Sequence, residues 1–500
     1  MAASSPGPRQ QRTYGNWRRP QTAGVGALGL VGTVVLMAGM ILVVLVAIKS
    51  LWAAVALLLL LGLILAPMAV RDRDGRTLMV RMGAALGWRM TVKAGADYYR
   101  SGPLGRTGYG TCTLPGLAAS STLMEAQDAY GRPFAMLSYP TNHHAVVLSC
   151  DADGAGLVDQ DQVDIWVAHW GQWLANLATE PGLIGASVTV ETAPDTGIRL
   201  AEEVNTNLSP DAPPLAAAML RDVLATYPAG SAQISTRITL TYSGAARPGH
   251  ERRTADDMAV LIGHRLPGLT STLAMTGAGP ARPMTARQLA EAVRIAYDPS
   301  VAALVEEAQH SGGTGLTWDE AGPASSDEAV GTYAHDGACS ITWSMSEAPR
   351  GAVLSSVLTG FLQPSDDIAR KRVTLLYRPH DPASATHIVQ RDKRDAEFKA
   401  GSTKGNRARD DVAVKAARQS EEEEATGAGV VRFALLATAT VTDRADLPRA
   451  EAAMDNLAAP ARIRLRRMTR TQAASFAAAL PIGLVLPAHV MVPSTVRDNL

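Results

Sequence analysis

Two apolar runs dominate the first seventy positions. Gln21–Ile48 contains no charged residue, and after Lys49-Ser50 a second run extends from Leu51 to Val70. Each reaches the ~20 residues that a helix needs to cross about 30 Å of hydrocarbon with its backbone groups bonded internally. The pattern predicts a two-helix transmembrane hairpin over 21–70. A cleaved signal sequence would have a shorter apolar core and then a polar mature chain, whereas here a second run follows at once. Arg9, Arg12, Arg18 and Arg19 precede the hairpin, and Arg71, Arg73, Arg76, Arg81, Arg89 and Lys93 follow it. Basic flanks on both sides predict that both ends face the cytoplasm. On this reading the protein is a multi-pass component of the inner cell membrane with the bulk of its chain cytoplasmic.

Beyond the hairpin the period of the pattern keeps switching. Val80–Val92 and Ser138–Cys150 read as short strands interrupted by turn residues. Over Asp161–Thr179 the apolar positions Val163, Trp166, Val167, Trp170, Trp173 and Leu174 fall at helical spacing, which predicts a helix with an aromatic packing face. Strict alternation predicts strands at Gly185–Thr192 and Gln233–Tyr242. Helices are expected at Pro214–Ala225, at Thr254–Met275 with an interruption at Pro267, and at Thr285–Ala296; Asp298-Pro299-Ser300 offers a cap for another helix ending near Gln309. Gly-, Ser- and Asp-rich residues then suggest a loop. After it come strands at Ser340–Met345, Arg372–Tyr377 and Val430–Val441, and helices at Ala352–Phe361, Pro448–Leu457 and Thr471–Leu480.

The expected architecture is therefore a membrane-anchored α+β (or α/β) protein, the hairpin being followed by mixed α/β cytoplasmic modules. Its parts are a basic N-terminus (1–20), the hairpin (21–70), a first α/β domain (71–310), a loop or boundary (311–337) and a second α/β domain (338–500). The second domain carries a charged segment, 391–424, with nine basic and nine acidic residues. Neighbouring opposite charges there predict a long solvated helix, with a protein-docking arm as the functional alternative.

Composition narrows the function. The 500 residues hold 47 Lys+Arg against 47 Asp+Glu, so the overall basic bias of a nucleic-acid binder is absent and direct nucleic-acid binding is not expected. Three widely spaced cysteines, Cys112, Cys150 and Cys339, offer neither a disulfide framework nor a Cys-based zinc site. The dipeptide Gly-Lys occurs nowhere, which removes the P-loop. Neither a G-x-S-x-G elbow nor an H-E-x-x-H helix is found. Asp151-Ala152-Asp153-Gly154 begins like a calcium loop, but Ala155 and Gln162 stand where acidic or oxygen ligands would be required. We therefore expect no enzyme, no cofactor, no metal and no catalytic residues.

Several segments together resemble a known family. The glycine-rich hairpin followed by Gly83-Ala84-Ala85-Leu86-Gly87-Trp88 is similar to the PrgI-type membrane subunit of conjugative type IV secretion systems. The remainder resembles the N-terminal, non-ATPase half of TrsE/TraE-type conjugation ATPases. The resemblance rests on Leu289-Ala290-Glu291-Ala292-Val293-Arg294 running into Tyr297-Asp298-Pro299, and on Lys371–Tyr377 ending in Pro379-His380-Asp381-Pro382. It closes on Arg467–Gln472, continuing through Phe476 to Leu480-Pro481-Ile482-Gly483. It implies an actinobacterial conjugation-type membrane protein in which a PrgI-like anchor is fused to that N-terminal domain. EccE, a type VII secretion component that also begins with two spans and continues as a mixed soluble domain, is the alternative family.

The resemblance implies a non-enzymatic structural subunit of a secretion or conjugation machine. Its partners would be membrane lipid, other membrane subunits of a hetero-oligomeric complex, and a separately encoded ATPase. In the resembling ATPases the segment ending near the Leu-Pro-Gly-like run packs on the motor domain. The corresponding docking candidates here are Phe476, Leu480, Ile482, Leu484 and Leu486. The same apolar tail could equally complete the local core.

Overall fold

An apolar run with no charge has nothing to gain from an open backbone, and both N-terminal runs coil. The computed structural model describes residues 12–17, 28–72, 75–102, 105, 108, 111–154, 156–226, 232–246, 251–349, 351–402 and 407–489. Within these, α1 (Gly29–Ala47) is joined by a tight turn to α2 (Leu51–Ala69). Ser50 caps α2 by accepting the Ala53 amide at 3.4 Å. The pair packs through Leu61, Leu65 and Met68 against Leu28, Val31, Val35 and Leu36. Gly39 is the point of closest approach, where a Cβ would lie 2.5 Å from Leu61 Cδ1. Among the described residues only α2 is long and apolar enough to cross a membrane; the apolar part of α1, Val31–Ala47, is shorter. The expectation of two spans is therefore met by one helix, and a multi-pass topology is not supported.

The expected strand at Val80–Val92 is a helix, α3 (Leu78–Lys93), capped by Thr77. Met, Leu, Ala, Arg and Lys dominate it, and these lose little freedom on coiling, which outweighs the partial alternation. The described residues of Trp17–Asp97 and Leu486–His489 form one compact unit; Arg12–Asn16 and Tyr98–Val485 form a second, larger one.

The larger unit is built on one 13-stranded antiparallel sheet. After β1 (Tyr98–Arg100) come β2 (Thr122–Gln127), β3 (Pro133–Ser138) and β4 (His143–Cys150), then α4 (Gln160–Leu177), β5 (Leu183–Pro194), α5 (Ile198–Asn207), α6 (Pro214–Thr226) and β6 (Ala232–Ser243). The middle of the chain supplies α7 (Ala255–Leu273), β7 (Ala281–Pro283), α8 (Ala286–Tyr297), α9 (Ala302–His310), β8 (Ser325–Glu328), β9 (Tyr333–His335) and β10 (Ala338–Glu347). The remainder is α10 (Thr359–Leu362), β11 (Arg370–Pro379), α11 (Pro382–Ser402), α12 (Arg407–Ala425), β12 (Val431–Val441), α13 (Leu447–Ala458), β13 (Arg464–Arg467) and α14 (Gln472–Ala479). Strand order is β1-β8-β9-β10-β12-β11-β5-β6-β4-β3-β2, with β13 on β10 and β7 on β4.

Several local expectations are met. Capping boxes at Thr254/Asp257 and Thr285/Gln288 start α7 and α8. The aromatic stripe of α4 is a packing face: Trp170 stacks on Trp173 at 5.0 Å and meets Tyr377 of β11 edge-on at 6.1 Å. Others are corrected. Helix α7 runs through Pro267 without interruption, because the Gly263 carbonyl that loses its helical donor there accepts the Ala129 amide at 3.1 Å. Residues 311–337, expected as a loop or boundary, contribute β8 and β9. The sheet continues across that position, since β11 pairs with β5 from Lys371↔Thr192 to Tyr377↔Ala186. The charged segment 391–424 is two helices, parts of α11 and α12, rather than one.

Candidate functional site

Side chains alternate across a strand, so β5, β6, β10, β11 and β12 present two unlike faces. One carries Ile238, Leu240, Val373, Leu435, Ala437, Ile341 and Trp343, buried in apolar cores with α4, α7 and α13. The other carries Thr189 and Glu191, Thr239 and Thr241, Arg370, Arg372 and Thr374, Thr438 and Thr440, and Ser340 and Thr342, all buried. Helix α14 and residues 480–485 help to cover this polar face. A buried hydroxyl needs a partner. Thr374 donates to the Ala479 carbonyl (2.7 Å), Thr241 to the Gly483 carbonyl (3.0 Å), and Tyr139 to the Ile482 carbonyl. Gln472 acts as an extra strand neighbour, accepting the Thr342 amide (2.8 Å) and donating to the Thr342 carbonyl (3.2 Å).

At one end of this face the register brings four charges together. Arg372 lies opposite Glu191 between β11 and β5, with Arg370 two residues back and Arg237 on β6. Glu191 Oε1 accepts from Arg370 Nη1 (3.0 Å) and Arg372 Nη2 (2.9 Å), and Oε2 from Arg237 Nη1 (3.4 Å). Burial favours the neutral acid, but the charges of Arg372, Arg370 and Arg237 outweigh it and hold the carboxyl far below the usual carboxylate range. Among the described residues these three guanidiniums share a single carboxylate. Arg372 is 2% exposed, and its Nε and Nη1, like Arg370 Nε, have no acceptor among the described residues. The Arg372 guanidinium instead lies 5.4 Å from the Phe476 ring centroid, where the negative face of the ring favours a cation.

A second polar chain runs beside it. His335 is buried, with Nδ1 2.5 Å from the Tyr297 carbonyl and Nε2 2.7 Å from Ser340 Oγ, which is 2.7 Å from Thr440 Oγ1. A carbonyl can only accept, so Nδ1 carries the proton and neutral Nε2 accepts from Ser340. Burial pushes this imidazole down to about 4, against the pull of the Tyr297 carbonyl. A serine donating to His Nε2 has the form of a nucleophile and its base. Here, however, Ser340 is sealed from solvent and the orienting group is a carbonyl rather than a carboxylate. The arrangement locks β9, β10 and β12 together. Lys371, on the opposite face, donates to the Gln363 carbonyl and lies 5.9 Å from the Phe361 ring; burial pushes it down to about 8.

The docking candidates fall mostly inside this construction. Phe476, Leu480, Ile482 and Leu484 are at most 5% exposed and belong to the core shared with α8, Tyr297 and Tyr333. Leu486 is half-buried and belongs to the smaller unit. Those four side chains complete the fold and offer no apolar surface, because the polar sheet face beneath them requires a cover. The sequence pattern does not reveal the charged cluster as a site, because Glu191 and the arginines are far apart along the chain. Its signal was Arg370-Lys371-Arg372, three bases entering a strand that continues Val373-Thr374-Leu375.

The charged arm is the more accessible feature. Helices α11 and α12 pack along each other, with Lys393–Glu421 at 2.7 Å and Arg418–Glu397 at 3.2 Å bridging them. Between them runs a groove lined by Glu397, Asp411, Lys415, Arg418, Gln419 and Glu422. Phe398 and Val412 stand out, 76% and 68% exposed. The N-terminal segment is docked on the base of the arm: Asn16 Nδ2 donates to the Ala416 carbonyl (3.1 Å) and Ser420 Oγ (3.0 Å), and Tyr14 pairs with Val353 and donates to Asp164 (2.9 Å). Among the described residues no group of three or more His, Cys, Asp or Glu side chains could hold a metal ion.

Residues 21–79 match a family described as Domain of unknown function (DUF8461), spanning the two apolar helices and the turn into α3. The sequence matches no curated protein.

Proposed function

We propose that this chain is a membrane-anchored, non-enzymatic structural subunit of a type IV-like secretion or conjugation machine, docking a separately encoded ATPase beside the membrane. The observation that carries the proposal is the joining of α2, apolar over 19 residues, to a large mixed α/β unit that bears a charged helical pair. Large apolar side chains of α1 and α2, such as Val34, Ile41, Leu59 and Leu63, are more than half exposed, which suits a lipid environment. Arg71, Arg73, Arg76, Arg81, Arg89 and Lys93, which follow α2 and precede the larger unit, favour a cytoplasmic location for that unit. Because the 476–484 segment is buried, we assign docking to α11 and α12, where exposed Phe398 and Val412 offer apolar contacts amid charges of both signs.

Co-expression with a conjugation-type ATPase tests the reading. The full-length protein, extracted in mild detergent, should co-purify with that ATPase, and replacing residues 391–418 by a short Gly/Ser linker should abolish recovery while leaving the protein folded. Retention by the linker variant would move the docking surface elsewhere. Recovery of an FtsK-type ATPase in preference would assign the protein to a type VII system. In a Cys112→Ser background, a cysteine placed at fully exposed Leu157 should resist an impermeant thiol reagent added to intact cells. Labelling there would reverse the orientation.

A further inference from the structure

Helix α3 has no buried residue, although ten of its sixteen residues are apolar. Met79, Met82, Leu86 and Met90 recur at spacings of three, four and four, which align them on one face, and they are 48%, 59%, 55% and 61% exposed. Arg89 borders this stripe and Lys93 continues it at the C-terminal end of the helix, and both are exposed. Ala84, Trp88 and Thr91, on the far side, are half-buried. From Gly75 to Ala96 there are four bases and no acid. The turn that leads into the helix closes on the end of α2: the Leu78 amide donates to the Val70 carbonyl at 3.0 Å, and Arg71 pairs with Thr77. The first turn of α3 is thus pinned to the terminus of the helix long and apolar enough to span a bilayer.

From this we infer that α3 is an interfacial helix, with the Met79–Met82–Leu86–Met90 stripe in the headgroup–acyl boundary and Arg89 and Lys93 on anionic lipid headgroups. The inference rests on the membrane anchoring proposed above. An apolar helical stripe with a basic border is the chemistry that binds such an interface. Methionine side chains are flexible enough to adapt to an irregular surface of acyl chains. No acid between Gly75 and Ala96 repels an anionic leaflet, and neighbouring Asp72 is paired with Arg81 at 3.2 Å, which leaves Arg89 and Lys93 as the bases beside the stripe.

The test uses the full-length protein with Cys112→Ser, reconstituted in vesicles of phosphatidylcholine with or without phosphatidylglycerol. An environment-sensitive fluorophore is placed singly at Leu59→Cys in α2, at Met82→Cys, at Met90→Cys, or at Ala84→Cys on the far side. The probe at Leu59 should be quenched by nitroxides deep in the acyl chains. Those at Met82 and Met90 should be quenched by shallow nitroxides, more strongly in phosphatidylglycerol vesicles, and the one at Ala84 should not. Each of Arg89→Gln and Lys93→Gln should reduce the anionic-lipid preference about fivefold, leaving the Leu59 signal unchanged. Loss of quenching at Leu59 would refute the anchoring itself. Quenching at Leu59 without quenching at Met82 and Met90 would refute only the interfacial helix. Cross-linking between Met82→Cys copies, with no response to lipid composition, would overturn it in favour of a second copy of the chain on this stripe.

Discussion

Glu191→Gln is the sharpest perturbation that the fold offers. Glutamine keeps the shape and one acceptor oxygen, but deprives Arg237, Arg370 and Arg372 of the one carboxylate that they share among the described residues. Glu191 is 5% exposed and accepts at 2.9, 3.0 and 3.4 Å. Removing one partner from a buried pair costs about 3–5 kcal/mol, because the remaining charge stays desolvated. With three guanidiniums relying on one carboxylate, the upper end of that range is expected at pH 7. The pH dependence has a definite sign. The folded carboxyl is held below its unfolded value, so its contribution is complete above the unfolded pKa of about 4.3 and disappears as pH falls toward the folded value. The stability gap between wild type and Glu191→Gln should therefore be flat from pH 6 to 8 and shrink below about pH 4. Urea unfolding of the detergent-solubilised protein, followed by tryptophan fluorescence, reads this directly. Adding Arg372→Met to Glu191→Gln should recover part of the loss. A cost below about 1 kcal/mol at pH 7 would refute the reasoning, since the arginines would then be neutralised by something other than Glu191.

Phe476→Ala should cost about 3–5 kcal/mol in the same unfolding assay, because it empties a fully buried ring site beside Tyr297, Tyr333 and His335 and exposes the Arg372 guanidinium. Gly483→Ala should lower the melting temperature sharply: the residue has φ +71, and its Cβ would sit 2.4 Å from Ala145 Cβ and 2.6 Å from Thr241 Oγ1. His335, whose folded value near 4 lies below the unfolded one, contributes stability above about pH 6.5 that is lost as pH falls toward 4. The fraction folded at fixed urea should drop across that window, and His335→Gln should flatten the drop. Gly39→Val should splay α1 from α2, where Leu61 already fills the space, and a disulfide engineered across the pair would then form more slowly.

What the chain states locally, the chain alone decides. Charge-free runs coil because backbone groups in an apolar stretch must pair internally, and α1 and α2 were legible for that reason, although among the described residues only α2 is long and apolar enough to span a membrane. Strict alternation specified β5 and β6, and helical spacing of apolar positions specified α4. Elsewhere the deciding partner is distant in sequence. Pro267 is harmless only because Ala129 takes up the freed carbonyl, and β8 and β9 are strands only because β1 and β10 lie beside them. The tail Phe476–Leu484 has the composition of a docking surface, and it became core because a threonine- and arginine-lined sheet face needs a cover. Glu191 meets Arg370 and Arg372 across 179 and 181 positions. A single sequence records that each is charged, but which charges share one desolvated space depends on strand register, and long-range pairing sets the register.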